Sequence, residues 1–579
     1  MRKATENAKT NRRKQMKRTA CFLTAFCLTA GLMGGCASNA GSGGSSNASG
    51  VSGQSAGGET GAGGSAEGGA NGAASLTYWT NMDSSRIAPT TDNYANILCY
   101  QEMAKNTGIS VEFIHPPIGQ EADAFSLLLA SGEYPDMIYY DWGNKVSGGA
   151  DKMIEDGVIL RLNELIAEKC PNLRGFLDEH PEVEAAMMTD SGNIYCFPNL
   201  YPYYTDDPKI ICIRGDQIRK DWLKELGLEE PETIEEWHQV LTAFKEKGTN
   251  ESGEEIIPMV SRKLSTRSSI VRTLANAWDG LDYDFYVQDG VVKFGPMEAD
   301  FKEYLQTMAN WYDEGLIAPE FATYGDKEHD ALITSGRAGV WHSGLGAGMG
   351  VYISALGDDD SKVGGVRFPV VEKGSRPKFN NASNFPFIGI GVAITSSCKD
   401  IDSACKWLDY HYSDEGDMLL NWGVEGVSYE LGEDKTPHFT DQVLHDPDGL
   451  SVDVAIGKYA MVAQMEAYKQ SDDVYAVRMW KWPAQQEASA KWDDTDFNDR
   501  YPLTVSMTPE EGAEFAAIMS DIETYRDENA IRYILGTESF DNYDKFVETI
   551  KSMNIDRAIE IKQAAYDRLQ ERLKMVGKE

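Results

Sequence analysis

The residues of this chain best suited to chemistry are a carboxylate and a ring side by side, Asp141 and Trp142. They end the stretch LLLASGEYPDMIYYDW, residues 127–142. A carboxylate accepts hydrogen bonds from hydroxyls, and an indole stacks on the apolar C–H face of a pyranose. The pair therefore suits a sugar. The same residues would serve as a core Trp and a helix-capping Asp, and this stretch alone leaves both readings open. Trp79 and Asn81 repeat the combination in LTYWTNMD, residues 76–83.

Further candidates of this kind follow along the chain. Tyr203 and Tyr204 lie in YPYYTDDP. Trp278 stands alone, and Trp341-His342 precedes the glycine-rich run GLGAGMG, where backbone can approach a ligand closely. Trp422 and Glu425 belong to NWGVEGVSYE. Each Trp also has a packing reading, and with 12 in the chain several must be structural. Trp222 and Trp237 fall on amphipathic helices and are assigned to the core. Trp480 and Trp482, with Arg478 and Lys481, either cap a cleft or pack a loop. Arg262, Lys263, Arg267 and Arg272 form a local basic cluster. It either neutralises uronate groups or, the reading preferred here, compensates nearby carboxylates.

No catalytic residue is assigned. There is no H-E-x-x-H and no P-loop. Gly53-Gln54-Ser55-Ala56-Gly57 matches G-x-S-x-G, but it lies in low-complexity sequence without the strand and helix that a nucleophile elbow needs.

The elements that must position these groups are legible around them. Gly132 can take the left-handed conformation that ends an apolar helix. Pro135 blocks its restart, and residues 137–140 form a short buried strand. Residues 76–79 and 109–114 give two more strands, with a helix over 94–106 between them. This alternation indicates an α/β sheet, in which ligands lie at the carboxyl ends of strands. Thr233 and Glu236 form a capping box. After it, Ile234, Trp237, Leu241 and Phe244 make one apolar helical stripe.

Length and charge set the outer limits. A chain of 579 residues exceeds one hydrophobic core, so two or more lobes are expected. The formal charge of −37 excludes nucleic acid as a partner, because phosphates need a basic footprint. It serves solubility.

The basic residues that do occur early precede an apolar run over 20–33, too short to span a bilayer and suited to a signal peptide. Gly34-Gly35-Cys36 then resembles a bacterial lipobox, with Met33 where Leu is usual. The resemblance implies cleavage before Cys36 and a diacylglycerol thioether on its sulfur. Residues 37–75 are nearly all small or polar and cannot bury enough surface to fold. They read as a tether with a reach of about 35 Å. Six cysteines follow Cys36 without C-x-x-C spacing, which argues against a zinc ribbon. Export permits disulfides, but buried thiols are the preferred reading.

SGEYPDMIYYDW, DGVILRLNELIAEKCPNL and DSGNIYCFP occur in that order. With IRKDWLKELGLEEPETIEEWHQVLTAFK, NWGVEGVSYE and the late QAAYDR, they resemble extracellular solute-binding proteins (family 1) of carbohydrate ABC importers. More narrowly, they are similar to the long lipoprotein-type members of Gram-positive bacteria. The resemblance covers nearly all of the chain after the tether. It implies a two-lobed, type II periplasmic-binding-protein-like α/β fold with a ligand cleft between lobes joined by hinge crossings. The crossings are expected near residues 210–213, 387–395 and 490–505. Lobe 1 would then hold 76–209 and 393–495, and lobe 2 would hold 210–392 and 496–579.

The resemblance further implies a monomer on the outer face of the membrane. It would capture an oligosaccharide without chemistry and pass it to transmembrane permease subunits with a cytoplasmic ATPase. No cofactor is expected. Some members carry a calcium loop after the helix over 234–247. Here residues 247–258 lack carboxylates at alternating positions, so no tight metal site is expected. The rival readings are the same fold with a peptide or other small solute, a binding subunit feeding a sensor kinase, and a surface glycoside hydrolase using two of the many carboxylates.

Overall fold

The first strand, β1 (Ala74–Trp79), exposes Ser75 and then buries Tyr78 and Trp79 in succession, as a strand covered on both faces does. This computed structural model describes residues 74–202, 212–378, 386–461, 465–496, 501–502 and 505–575. From β1 the chain runs through α1 (Leu98–Thr107) to β2 (Ile109–Ile114). Then α2 (Glu121–Ser131) ends at Gly132, at φ 69°, and leads to β3 (Met137–Asp141). Helix α1 starts four residues later than its sequence suggests. Residues Tyr94–Asn96 form a separate 3-10 turn, and Ile97 breaks the run with an extended backbone.

β2, β1 and β3 are parallel neighbours, with Trp79 opposite Ile138. Helices α3 (Gly149–Glu155) and α4 (Pro181–Met187) follow, then the short β4 (Phe197–Pro198).

A second sheet begins at β5 (Arg214–Arg219). Residues 210–211 of the expected first crossing lie outside the described residues, and regular pairing starts only at Arg214. Helix α5 (Ile234–Lys247) carries the predicted capping box, and Trp237, Leu241 and Phe244 are fully buried. β6 (Ile257–Met259), the hairpin β7 (Phe285–Gln288) and β8 (Val291–Phe294), and α6 (Ala299–Asp313) follow. Then come β9 (Ala338–Gly344) and β10 (Val363–Gly365). The order in this sheet is β10-β5-β9-β6.

The chain then returns to the first sheet. β11 (Ile390–Ile394) inserts antiparallel between β3 and β4, giving the order β2-β1-β3-β11-β4. A Cβ on Gly391 would lie 2.1 Å from the Phe197 carbonyl oxygen, so only glycine permits this approach. Each sheet lies in its own lobe with its own apolar core.

The expected boundary of lobe 1 at residue 495 needs correction. Tyr475, Met479, Ala488 and Trp492 belong to the core of the second lobe. Helix α7 (Pro483–Asp493) packs on β10 and β5. The reason is a groove left by absent side chains. A Cβ on Gly215 would meet the Trp492 ring at 2.3 Å, and one on Gly365 would meet the Ala488 Cβ at 2.4 Å. Trp492 also donates its Nε1 hydrogen to the Val366 carbonyl (3.1 Å).

Two long helices near the C-terminus, α8 (Pro509–Ile534) and α9 (Ile555–Met575), touch both lobes. α8 packs on α6 and α3, and α9 on β8 and α4. Asp190, in the first lobe, accepts hydrogen bonds from Arg568 Nε (2.7 Å) and Arg572 Nη1 (2.8 Å) of α9.

Glu466 sits fully buried in the first lobe, just before the segment that leaves it. Its carboxyl accepts from Tyr78 Oη (2.8 Å), Tyr100 Oη (2.6 Å) and Ala467 N (2.8 Å). Burial pushes it up to about 7, against the pull of these donors. The native carboxyl therefore keeps its proton between about pH 4.5 and 7, where the unfolded one loses it. Its contribution to stability is complete below about pH 4.5 and is lost as pH rises through 7. Glu466→Gln should gain stability relative to the parent between pH 5 and 8, on the order of 3 kcal/mol. Urea unfolding at the two pH values measures this; an unchanged difference would show that Glu466 titrates normally.

Candidate functional site

The site grows from the loop that follows β3. Asp141 closes the strand, and its Oδ1 accepts from the backbone N–H (3.0 Å) and the Nδ2 (2.9 Å) of Asn144. Asn144 Nδ2 also donates to the Ile388 carbonyl (3.0 Å), and Gly143 N donates to the Gly389 carbonyl (3.0 Å). A Cβ on Gly389 would stand 2.9 Å from the Gly143 Cα, and Gly389 has φ 89°. Two glycines thus let the loop lie directly against the segment entering β11. Burial pushes the Asp141 carboxyl up, while the hydrogen bonds from Asn144 oppose that.

This loop walls two cavities. One, of about 420 Å³, lies at the carboxyl ends of β1 and β3 and is lined by Asn81, Asp83, Glu121, Tyr140, Lys145 and Met465 among others. The other, of about 490 Å³, lies between the loop's other residues, from Gly143 to Gly149, and the second lobe with its C-terminal helices. Between the lobes, burial pushes the Tyr201 hydroxyl up. The nearby Tyr475 and Asp141 add to this, and Arg86 and Arg214 act against it. Charges from both lobes therefore converge on Tyr201.

Of the ligand candidates singled out from sequence, Asn81 lines the first cavity; Asp141 lines neither, but holds Asn144, which lines the second. Asn81 is half-buried on the wall of the first, and its Oδ1 is buried without a hydrogen-bond donor among the described residues. Trp79 lies one layer deeper, packed against Phe125 (5.9 Å) and Tyr140 (6.3 Å). Tyr140 takes its place at the surface of the cavity.

The other described tryptophans are corrections. Trp142 is fully buried and donates Nε1–H to the Gly391 carbonyl (3.2 Å), so it holds β11 and offers no face. Trp341 is fully buried and bonds Gln217 Oε1 (2.9 Å). His342 Nδ1 pairs with Asp216 Oδ1 (2.8 Å) inside the second sheet. Trp278 packs edge-on to Tyr304 in the same lobe. Trp422 is buried against Phe439 (4.6 Å), and Glu425 is exposed and lines neither cavity. The buried side chains among these give their rings to internal packing. Tyr203 and Tyr204 lie outside the described residues.

Sequence reasoning missed most of the second cavity. Asn144 was within reach as a neighbour of Asp141. Lys562, Tyr501 and Phe515 carried no signal, because only the tertiary fold brings the C-terminal segments to this loop. The basic cluster divides: Arg262 Nε bonds Asp326 (2.6 Å), and Arg272 bonds Asp284, as compensation predicts. Burial alone would raise Asp284, yet Arg272 and Arg526 hold it at about 2.

These placements separate packing from recognition. Trp142→Ala should lower the unfolding free energy by about 3–5 kcal/mol. Asn81→Ala should leave it within about 0.5 kcal/mol. Urea titration of both variants checks the contrast, and equal losses would remove Asn81 from the recognition surface.

The comparisons with known proteins agree with this geometry. The description "Bacterial extracellular solute-binding protein" matches residues 88–418. FusA, the fructooligosaccharide ABC transporter substrate-binding protein of Streptococcus pneumoniae, is 26% identical over 514 residues, spanning 84% of this chain and 89% of that one. Lipoprotein LipO of Bacillus subtilis is 26% identical over 464 residues, spanning 78% and 84%. The solved structure of the alginate-binding protein AlgQ2 without calcium ion is 25% identical, with a TM-score of 0.63 and coverage of 86% and 99%. With its two lobes, its intervening cleft and this match over more than half its length, the chain belongs to the bacterial extracellular solute-binding protein family.

Proposed function

We propose that this chain is the substrate-binding protein of an ABC importer and captures an oligosaccharide between its lobes. The observation that carries the reading is the loop after β3, which walls two cavities and faces groups of both lobes. A ligand that touches both walls favours the closed arrangement by its differential contacts. Asn81 Oδ1 supplies a buried acceptor for a hydroxyl, and Tyr140 supplies an aromatic wall. The named ligands of FusA and AlgQ2, fructooligosaccharide and alginate, support the sugar class. Binding without chemistry is in keeping with a family of binding proteins.

The ligand then passes to transmembrane permease subunits driven by a cytoplasmic ATPase. The protein works as a monomer, held on the outer face of the membrane by a lipid on Cys36. The basic, apolar and small-residue order before Cys36 supports this anchor, as does the lipoprotein name of LipO.

Two measurements test the reading. Kestose, uronate oligosaccharides and short peptides are screened by thermal shift. A sugar that binds only the folded state should stabilise the protein by about 2.7 kcal/mol at a hundred times its Kd, with no product formed. A shift with peptides alone would replace the sugar class. Cys36→Ser should lose fatty-acid labelling and move from the membrane fraction to the medium; unchanged labelling would move the anchor elsewhere.

A further inference from the structure

The second cavity holds more charge than its own ion pairs use. Arg272 and Arg526 both bond Asp284, and Arg526 Nε also bonds Asp527 (2.8 Å). Two cations at the cavity wall, Arg267 and Lys562, have no carboxylate within ion-pair distance among the described residues. Lys562 is held instead by rings. Its Nζ lies 4.3 Å from the Tyr501 centroid, 5.0 Å from Phe515 and 5.7 Å from Phe285. All three rings line the same cavity. Ring faces attract an ammonium, but they do not neutralise it.

We propose that this cavity is a subsite for a carboxylate-bearing sugar unit, with Arg267 and Lys562 as its counter-charges and the three rings as its apolar wall. The inference rests on the oligosaccharide reading above and narrows it to acidic sugars.

Three observations support it. Lys562 keeps part of its side chain open to the cavity, yet burial pushes its ammonium down to about 8, and Arg267 pushes the same way. A partly desolvated charge without a counter-ion in contact is costly, and a bound carboxylate relieves both cations together. The cavity's own carboxylates act on these cations only from a distance: Asp284 and Glu523 favour the Lys562 ammonium and Arg267 draws Asp282 and Asp284 down, but none makes an ion pair with either cation among the described residues. Asp284 is engaged by two arginines, Asp282 accepts the Asp284 N–H (2.9 Å), and burial pushes Asp282 and Glu523 up. Finally, Arg267 is exposed to the cleft side and borders Ser268, which Arg214 of β5 reaches at 3.5 Å. The cations therefore sit beside the strand that opens the second lobe.

The test uses the purified full chain and isothermal titration. Trigalacturonate and trimannuronate are each compared with their fully methyl-esterified forms, which keep the rings and remove the charge. At least one acid should bind tenfold or more tightly than its ester. Arg267→Gln and Lys562→Gln should each shrink that ratio severalfold, while leaving the ester's affinity within twofold. Binding of the acid should also weaken as pH rises through about 8 in the parent. Arg267 is exposed, so Arg267→Gln carries the test if the Lys562 variant fails to fold.

Equal binding of acid and ester, or a ratio indifferent to Arg267→Gln, would overturn the proposal. Kestose binding alone would overturn it and leave the oligosaccharide reading standing. Tighter binding of a peptide carboxylate than of any uronate would also overturn it. No carbohydrate binding at all would overturn both.

Discussion

The antiparallel pairing of β11 with β3 is the constraint on which the rest of this structure depends. It joins the returning chain to the strand that ends in Asp141, with Ile390 opposite Asp141. Three glycines make it possible. Gly391 admits the Phe197 carbonyl, and Gly143 and Gly389 let two backbones meet without side chains between them. Trp142 then seals the contact by donating to the Gly391 carbonyl. Since the loop after β3 walls both cavities, the same pairing positions the recognition surface. A one-residue slip of β11 would turn its buried Val392 and Ile394 to the other face and release the loop.

Charge is distributed to match this mechanical role. The chain as a whole is strongly acidic, yet half-buried arginines join the first lobe to the C-terminal helices. Asp190 binds Arg568 and Arg572 across that junction, and Arg568 also bonds Glu511 at the start of α8. Such networks tie α8 and α9 to the first lobe while their apolar faces pack on the second. Breaking one partner of a largely buried pair costs more than the pair contributes when intact, because a charge is then left uncompensated. The C-terminal helices are therefore fixed elements of the cleft wall, and the rings that hold Lys562 come partly from them.

The aromatic residues teach a separate lesson about reading such chains. Trp at the carboxyl end of a strand is the right type for a sugar platform, and Trp79 and Trp142 both stand there. In this sheet, however, those positions are covered from above by Phe125 and by β11. A residue's place along a strand says which end of the sheet it occupies; what lies over it depends on segments far away in sequence. Tyr140, between them in sequence, lines the cavity together with Asn81 and Lys145.

Local order was therefore legible in the sequence. The helix stop at Gly132, the capping box at Thr233 and Glu236, the strands β1, β2 and β3, and the glycine-marked return strand all follow from short-range rules of backbone and periodicity. Asn81 was legible too, because a polar group just past a buried strand stays near the surface. What only the tertiary structure decided is which rings are covered, where α7 belongs, and which distant cations share a cavity. Trp492 enters the second lobe because Gly215 and Gly365 leave room for it. Lys562 faces the loop at Asn144 because α9 spans two lobes. Burial and pairing are properties of the assembled chain, since each depends on contacts between segments hundreds of residues apart.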